Sequence, residues 1–267
     1  MRRRAFSAGA GNSGSPRTGI DVGPRGWRRR PTTLMPLADA LAALGDAGTM
    51  GRHDDIVPLT AVVGSAARSD DFDADFGLIN PALRRRREAL IAMLRAGDYP
   101  APLDLVQLGE LYFVRDGHHR VSAAKTLGWD SLPARITRVC TVAYAMSCLR
   151  TANLPSKAAE RCFLERVPLP DDLRRDLWLD ERADWARLAD SAEAWAHRTR
   201  SSRRGPVTAP ELAASWWREA VVPVLDRLRP GAAPELRDVQ LYVTALAVRD
   251  RLGSLEWPDD LAERVAG

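Results

Sequence analysis

The chain has 267 residues, of which 45% are hydrophobic and 28% are charged, with a net charge of +4. These values are ordinary for one large or two small globular domains, and no run of about 18 apolar residues predicts a membrane span. The three cysteines fit neither a C-x-x-C motif nor a disulfide framework, so we expect a cytoplasmic protein.

The positive charge is concentrated at the amino terminus. Eight arginines against one acid give residues 1–34 a charge of +7, which leaves −3 of the total for the remainder. This segment is rich in Gly, Ser, Pro and Arg and has almost no aliphatic residues, which predicts a disordered basic tail, or a true start at Met35. DNA binding through this tail is an alternative; we predict no membrane contact.

Three elements are predicted before residue 80. Residues 37–44 suit a short helix. The run DDIVPLTAVVGS (54–65) contains β-branched residues and predicts a strand that ends in a Gly-Ser turn. The run SDDFDADF (69–76) then predicts an acidic loop.

A helix is predicted between Asn80 and Gly97. Asn80 can accept from the first free amides, Pro81 suits the first helical position, and Gly97 suits the left-handed stop. Arg84 to Arg87 form a basic side of this helix, which indicates either phosphate contact or a solvated face.

Two apolar runs, LDLVQL and LYFVR, predict a hairpin at about 103–115 that turns at Gly109 and Glu110. The second strand leads into DGHHR (116–120), a helix that ends at Gly128 and a further strand, LPARITRV. We therefore predict an α+β domain over residues 35–145.

Helical patterns dominate the rest of the chain. Thr208 and Glu211 form a capping box, Pro223 predicts a kink, and Pro230-Gly231 predicts a break. We predict a mainly helical domain over residues 146–267.

The DGHHR stretch has the chemistry of an anion site. Gly117 permits a tight turn, and a helix that starts there presents unpaired amides and the positive end of its dipole. His118, His119 and Arg120 can donate to phosphate oxygens, and the two imidazoles would spread donors around one anion. We expect Arg120→Ala to remove most of the affinity for such a ligand.

Two alternatives remain open for this stretch. Adjacent helical histidines diverge by about 100°, so a shared metal ion is disfavoured and we predict no metal site. In the other alternative Asp116 only caps the helix, Arg120 pairs with Asp116, and the histidines are surface or core groups.

Two motifs resemble the ParB/sulfiredoxin-like fold. GHHRVSAAKTLG is similar to its G-x-x-R-x-x-A signature, with Gly117, Arg120 and Ala123 at the shared positions. The upstream run VPLTAVVGSAARSDDF resembles the first ParB box, which places Gly64, Ser65 and Arg68 at its turn. The DGHHR form is most similar to that of the free serine kinases. The resemblance covers about residues 55–140, and residues 35–267 more loosely resemble actinobacterial ParB-domain proteins.

The resemblance implies a bound nucleoside di- or triphosphate with Mg²⁺ bridging its phosphates. Asp116, Gly117, His118, His119 and Arg120 would hold the phosphates, and Gly64, Ser65 and Arg68 would close the pocket. Sulfiredoxins have a reactive cysteine immediately before the His-Arg pair, where this chain has His118, so sulfinic-acid repair is not expected.

Four functions are open at this point. The first is a nucleotide-dependent switch or hydrolase, and the second is a phosphotransferase that acts on a small hydroxyl compound. The second needs a carboxylate, which Asp70, Asp71, Asp73 or Asp75 could supply, although such a run also suits a solvated loop. The others are a DNA-binding partition or nuclease-like protein and a degenerate interaction module. The oligomeric state is left open.

Overall fold

The computed structural model describes residues 33–67, 70–98, 101–200 and 206–266. The predictions about Arg68 and about residues 1–32 of the basic tail (1–34) lie outside the described residues. The last two residues of that tail are described: Thr33 bridges to Asp73, and Leu34 is buried in the core. Within the described ranges, no helix is both long and apolar enough to cross a membrane.

Six strands of the described residues form one mixed sheet, in the order β1-β3-β5-β4-β6-β2. The neighbours β1 and β3, β3 and β5, and β4 and β6 are parallel, whereas β4 with β5 and β2 with β6 are antiparallel. The strands are β1 (Met35–Pro36), β2 (Asp46–Pro58), β3 (Val62–Ser65), β4 (Leu103–Leu108), β5 (Leu111–Asp116) and β6 (Ser131–Thr141).

The helices of the first part accompany the sheet, and those after β6 form the carboxyl-terminal part. They are α1 (Leu37–Leu44), α2 (Arg84–Arg95), α3 (His118–Thr126), α4 (Leu154–Arg166), α5 (Asp171–Arg174), α6 (Arg182–Arg200), α7 (Ala209–Trp216), α8 (Val222–Leu228), α9 (Asp238–Leu252) and α10 (Leu261–Ala266). The predicted α+β class with a helical carboxyl-terminal half is confirmed.

The local signals for helix ends are confirmed. Asn80 Oδ1 accepts from Ala82 N at 3.1 Å at the start of a 3₁₀ turn that leads into α2. Thr208 and Glu211 form the predicted capping box of α7, and a π-helical turn separates α7 from α8, in which Pro223 lies. These contacts join residues that are close in the chain, which is why the sequence predicts them.

The single strand predicted over 54–65 is wrong. The chain forms β2 and β3, separated by a 3₁₀ turn at Leu59–Ala61. Pro58 has no amide hydrogen for a ladder bond, and β2 ends there, opposite Ser131. The amide of Leu59 instead donates to Asp130 O at 2.8 Å. β3 then pairs with β1 and β5 instead of with β6.

The sheet has an apolar core on each face because its inner strands alternate. Leu105 and Val114 belong to the core that α3 covers, whereas Val106 and Phe113 belong to the core that the carboxyl-terminal helices cover. The second core contains buried residues from both sides of the predicted domain boundary at 145, and that boundary stays a prediction.

Candidate functional site

The DGHHR turn has the predicted strand, glycine, helix arrangement. β5 ends at Asp116, Gly117 has a left-handed φ of 109°, and α3 begins at His118. A Cβ on Gly117 would lie 2.5 Å from Leu103 Cδ2. The left-handed φ therefore requires glycine at this position, and a Cβ would also displace the end of the Leu103 side chain.

The two histidines pack around Phe72, which belongs to the acidic loop. The His118 ring is stacked on Phe72 with centroids 5.8 Å apart, and the His119 ring meets the same ring edge-on at 5.3 Å. His118 Nε2 also shares a hydrogen bond with Ser65 Oγ at 2.7 Å, and Ser65 Oγ accepts from Ala67 N. Both imidazoles are buried. The pair therefore has a packing role in addition to any contact with a ligand.

Arg120 is held mainly by contacts within the protein. Its Nη1 donates to the carbonyl oxygens of Ala101 and Pro102, the latter at 2.8 Å, and its Nη2 donates to Asp116 Oδ2 at 2.5 Å. The predicted pair with Asp116 is confirmed. The alternative that Asp116 caps α3 is wrong, since Gly117 is the N-cap and no side chain of the described residues caps this helix.

We expect Arg120→Ala to lower the free energy of unfolding by about 2 kcal/mol, because charge-assisted hydrogen bonds of a mostly buried guanidinium are lost. Urea unfolding measures this change, and faster amide exchange next to Pro102 should accompany it. Arg218→Ala, which removes an exposed guanidinium, is the control and should have much less effect. An Arg120→Ala protein as stable as the parent would contradict the structural role.

A cavity of about 590 Å³ lies between α2 and the DGHHR turn. Arg86, Ala89, Leu90 and Met93 line it from α2, and residues 115–120 line it from the other side. The α2 residues recur at helical spacing, so they share one face of that helix. Of the predicted basic run at 84–87, only Arg86 is among the lining residues.

The other predicted site residues lie around this cavity or behind it. Ser65 is buried behind His118. Gly64 is buried in β3, where a Cβ would lie 2.3 Å from Met35 O and 2.4 Å from the Phe113 ring, so close strand packing requires glycine there. Arg68 lies outside the described residues, next to Ala67, which lines the cavity.

Two carboxylates of the acidic run accept hydrogen bonds from nearby residues and so stabilise the loop that contains them. Asp71 Oδ1 accepts from Asn80 Nδ2 at 3.0 Å, and Asp73 Oδ1 accepts from the amides of Asp75 and Gly77 at 3.0 and 2.6 Å. Neither residue lines the cavity, whereas Asp116 does, with a side chain that is 80% exposed. Asp116 is therefore the described carboxylate at the cavity wall.

Sequence reasoning missed three contributors to the site: Arg115, Phe72 and the apolar side of α2. Arg115 directly precedes the DGHHR stretch, and the spacing of Arg86, Leu90 and Met93 was readable as one helix face. Nothing local indicated that this face lies beside the DGHHR turn, because α2 and α3 meet only through tertiary packing.

No protein-family model and no curated protein matches the chain. Three solved structures are similar to it. Sulfiredoxin from Arabidopsis thaliana is 19% identical, with a TM-score of 0.23, over 33% of this chain and 88% of that one. The C2221 form of a Pnob8-like ParB-N domain is 17% identical, with a TM-score of 0.25, over 59% of this chain and 51% of that one. A pNOB8-like ParB N-domain is 14% identical, with a TM-score of 0.23, over 78% of this chain and 80% of that one.

The chain is similar to sulfiredoxin and ParB N-domain structures. These are two of the protein groups that the sequence motifs resemble. With identities of 19% or less and TM-scores of 0.25 or less, this likeness carries no argument about function. What the cavity binds has to follow from its own residues.

Proposed function

We propose that the cavity beside the DGHHR turn binds a phosphate-bearing ligand, and that this ligand is a nucleoside di- or triphosphate with Mg²⁺. The observation that carries the proposal is that Arg86 of α2 and the amino end of α3 line one cavity. The amides and dipole at a helix start favour an anion, and a guanidinium adds charge-assisted hydrogen bonds to phosphate.

Arg86 is the arginine best suited to meet the phosphates. Arg120 already donates to Asp116 and to two carbonyl oxygens, and Arg115 lies 3.5 Å from Asp104 in an ion pair. Arg86 is exposed on the α2 wall of the cavity. Its charge would be added to the positive end of α3, on which a phosphate would depend most.

The size and lining of the cavity suit a nucleotide. Its volume of about 590 Å³ lies within the range of about 300–1,000 Å³ typical of small-molecule sites. Ala89, Leu90 and Met93 offer an apolar side to a base or sugar, and the turn offers the polar side to phosphates. An inorganic anion alone would leave the apolar side uncovered.

Asp116 fits a role beside Mg²⁺. The described residues contain no cluster of three or more metal-ligating side chains, so the protein alone supplies no cage for a cation there. Mg²⁺ commonly binds through one or two carboxylates together with ligand phosphates, and the Asp116 carboxylate is exposed at the cavity. The cation would neutralise phosphate charge next to this carboxylate.

A nucleotide-dependent switch or hydrolase is the function that we propose. Leu94 is the one residue of α2 that is fully buried, so this helix is lightly anchored to the sheet domain. A ligand held between Arg86 and the α3 start would favour one position of α2 over others, as a switch requires. A small-molecule phosphotransferase is the second candidate, because Asp116 could accept the proton of a substrate hydroxyl.

The test is calorimetric titration with ATP, ADP, CTP and GTP in the presence of Mg²⁺. We expect Arg86→Ala to weaken binding of the preferred nucleotide by about tenfold or more, as loss of a charge-assisted contact to phosphate predicts. Arg85→Ala removes the same charge from the neighbouring exposed position, which does not line the cavity, and should bind as the parent does.

Equal losses in Arg86→Ala and Arg85→Ala would assign the effect to general charge and contradict the site. Absence of binding by all four nucleotides would favour the interaction module. Turnover that a small hydroxyl compound stimulates would favour the phosphotransferase over the switch.

A further inference from the structure

β2 is the outermost strand at one end of the sheet and is exposed along most of its length. It has 13 residues, of which Val57 is buried and the others are exposed. Among the described residues, the side of β2 that faces away from β6 pairs with no strand. An exposed strand edge presents unpaired amides and carbonyls, which makes it a template for pairing with another strand.

This edge carries exposed apolar side chains, which strand edges that avoid pairing usually lack. Met50 is 52% exposed and Ile56 is 68% exposed, and both belong to the small set of exposed large hydrophobic residues of the described chain. The ladder between β2 and β6 is regular from Arg52 to Pro58, so this part is straight enough to accept a further strand. Register shifts are confined to residues 46–52.

The charged residues in the regular part of β2 would complement those of a second β2 strand. Antiparallel pairing of two β2 strands about His53 sets Arg52 of one copy opposite Asp54 of the other, twice by symmetry. Directly opposed residues of an antiparallel pair lie on the same face and interact, so these two charge pairs are favourable.

Neither charge is fully used within one chain. Arg52 donates to Asp104 at 3.0 Å and Asp54 accepts from Arg135 at 3.3 Å, but their side chains remain 51% and 69% exposed. If the two strands paired about Asp54 or about Arg52 instead, the residue at the centre would lie opposite its own copy, which carries the same charge. The pairing about His53 is therefore the one that opposes unlike charges.

We infer that β2 is a self-association edge, through which a second copy of this chain extends the sheet in antiparallel register about His53. A two-fold axis at His53 makes the interface identical on both copies, as closed dimers require. The residues of this interface do not line the cavity beside the DGHHR turn, although Asp104 pairs both with Arg52 and with Arg115 of the cavity wall.

Sedimentation velocity of the full chain over a range of concentrations tests this inference. The parent protein should form a dimer. Asp54→Arg and Arg52→Asp should each weaken the dimer by about tenfold, because each variant alone opposes like charges. An equimolar mixture of the two variants should recover dimer formation, since every opposed pair in the mixed dimer is then unlike.

Glu235→Arg makes a similar charge change at an exposed position away from β2 and should leave the dimer unchanged. If one charge variant fails to fold by circular dichroism, Ile56→Lys provides the second test and should also weaken the dimer. A parent that stays monomeric at every concentration would overturn the inference. So would a dimer that neither charge variant affects, or a mixture that shows no recovery.

Discussion

Lys157→Met is expected to lower the free energy of unfolding by about 3–5 kcal/mol, because it leaves a carboxylate buried without its counter-ion. Lys157 Nζ lies 2.6 Å from Glu160 Oε2 within α4, and the two side chains are 3% and 1% exposed. Lys157 also lies over the Trp178 ring, 5.3 Å from its centroid. The loss should be visible as a lower urea midpoint with an unchanged slope.

The intact pair contributes far less than that loss implies. Burial raises the pKa of Glu160 to about 7, even though the Lys157 ammonium acts in the opposite direction, so desolvation outweighs attraction at this carboxyl. A hydrogen bond from the Tyr144 backbone also lowers the pKa of this carboxyl, yet burial still dominates. An apolar pair of similar volume avoids this desolvation cost.

The double variant Lys157→Met/Glu160→Leu should therefore recover most of the stability that Lys157→Met loses. Arg264→Met is the matched control: Arg264 and Asp260 are also 2.6 Å apart, but both are exposed, and their loss should leave unfolding almost unchanged. A double variant as unstable as Lys157→Met would show that the pair itself, and not the uncompensated charge, carries the stability.

Phe72→Ala is expected to lower the free energy of unfolding by about 3–5 kcal/mol, the usual cost of removing a fully buried phenylalanine ring. The same change removes the surface on which both imidazoles of the DGHHR turn pack. If the cavity binds a nucleotide, its affinity should fall as well, because His118 and His119 are no longer held in place.

Phe163→Ala separates the two effects. Phe163 is 1% exposed and packs against Trp185 in the other core, away from the cavity. We expect a similar loss of stability with unchanged nucleotide affinity, measured by urea unfolding and calorimetry below the unfolding transition. Equal loss of affinity in both variants would mean that general destabilisation, and not the position of the histidines, governs binding.

Elements that depend on neighbouring residues were predictable. The Asn80 start of the helix, the Thr208 capping box and the hairpin about Gly109 are all confirmed, because each rests on contacts or backbone conformations a few residues long. The division of the 54–65 segment into two strands was not predicted, although Pro58 lies within it. Whether Pro58 ends a strand depends on its pairing with β6, which begins more than 70 residues later.

The site was only partly predictable for the same reason. The strand, the Gly117 turn and the helix start follow from local sequence, since glycine is needed for the left-handed φ and the flanking runs have clear periodicity. Three features depend on how distant elements pack: Arg86 shares a cavity with this turn, Arg120 is bonded to Ala101 and Pro102, and both histidines pack on Phe72. Contacts between side chains that are distant in the chain depend on how helices and strands pack together, and local sequence patterns do not predict that packing.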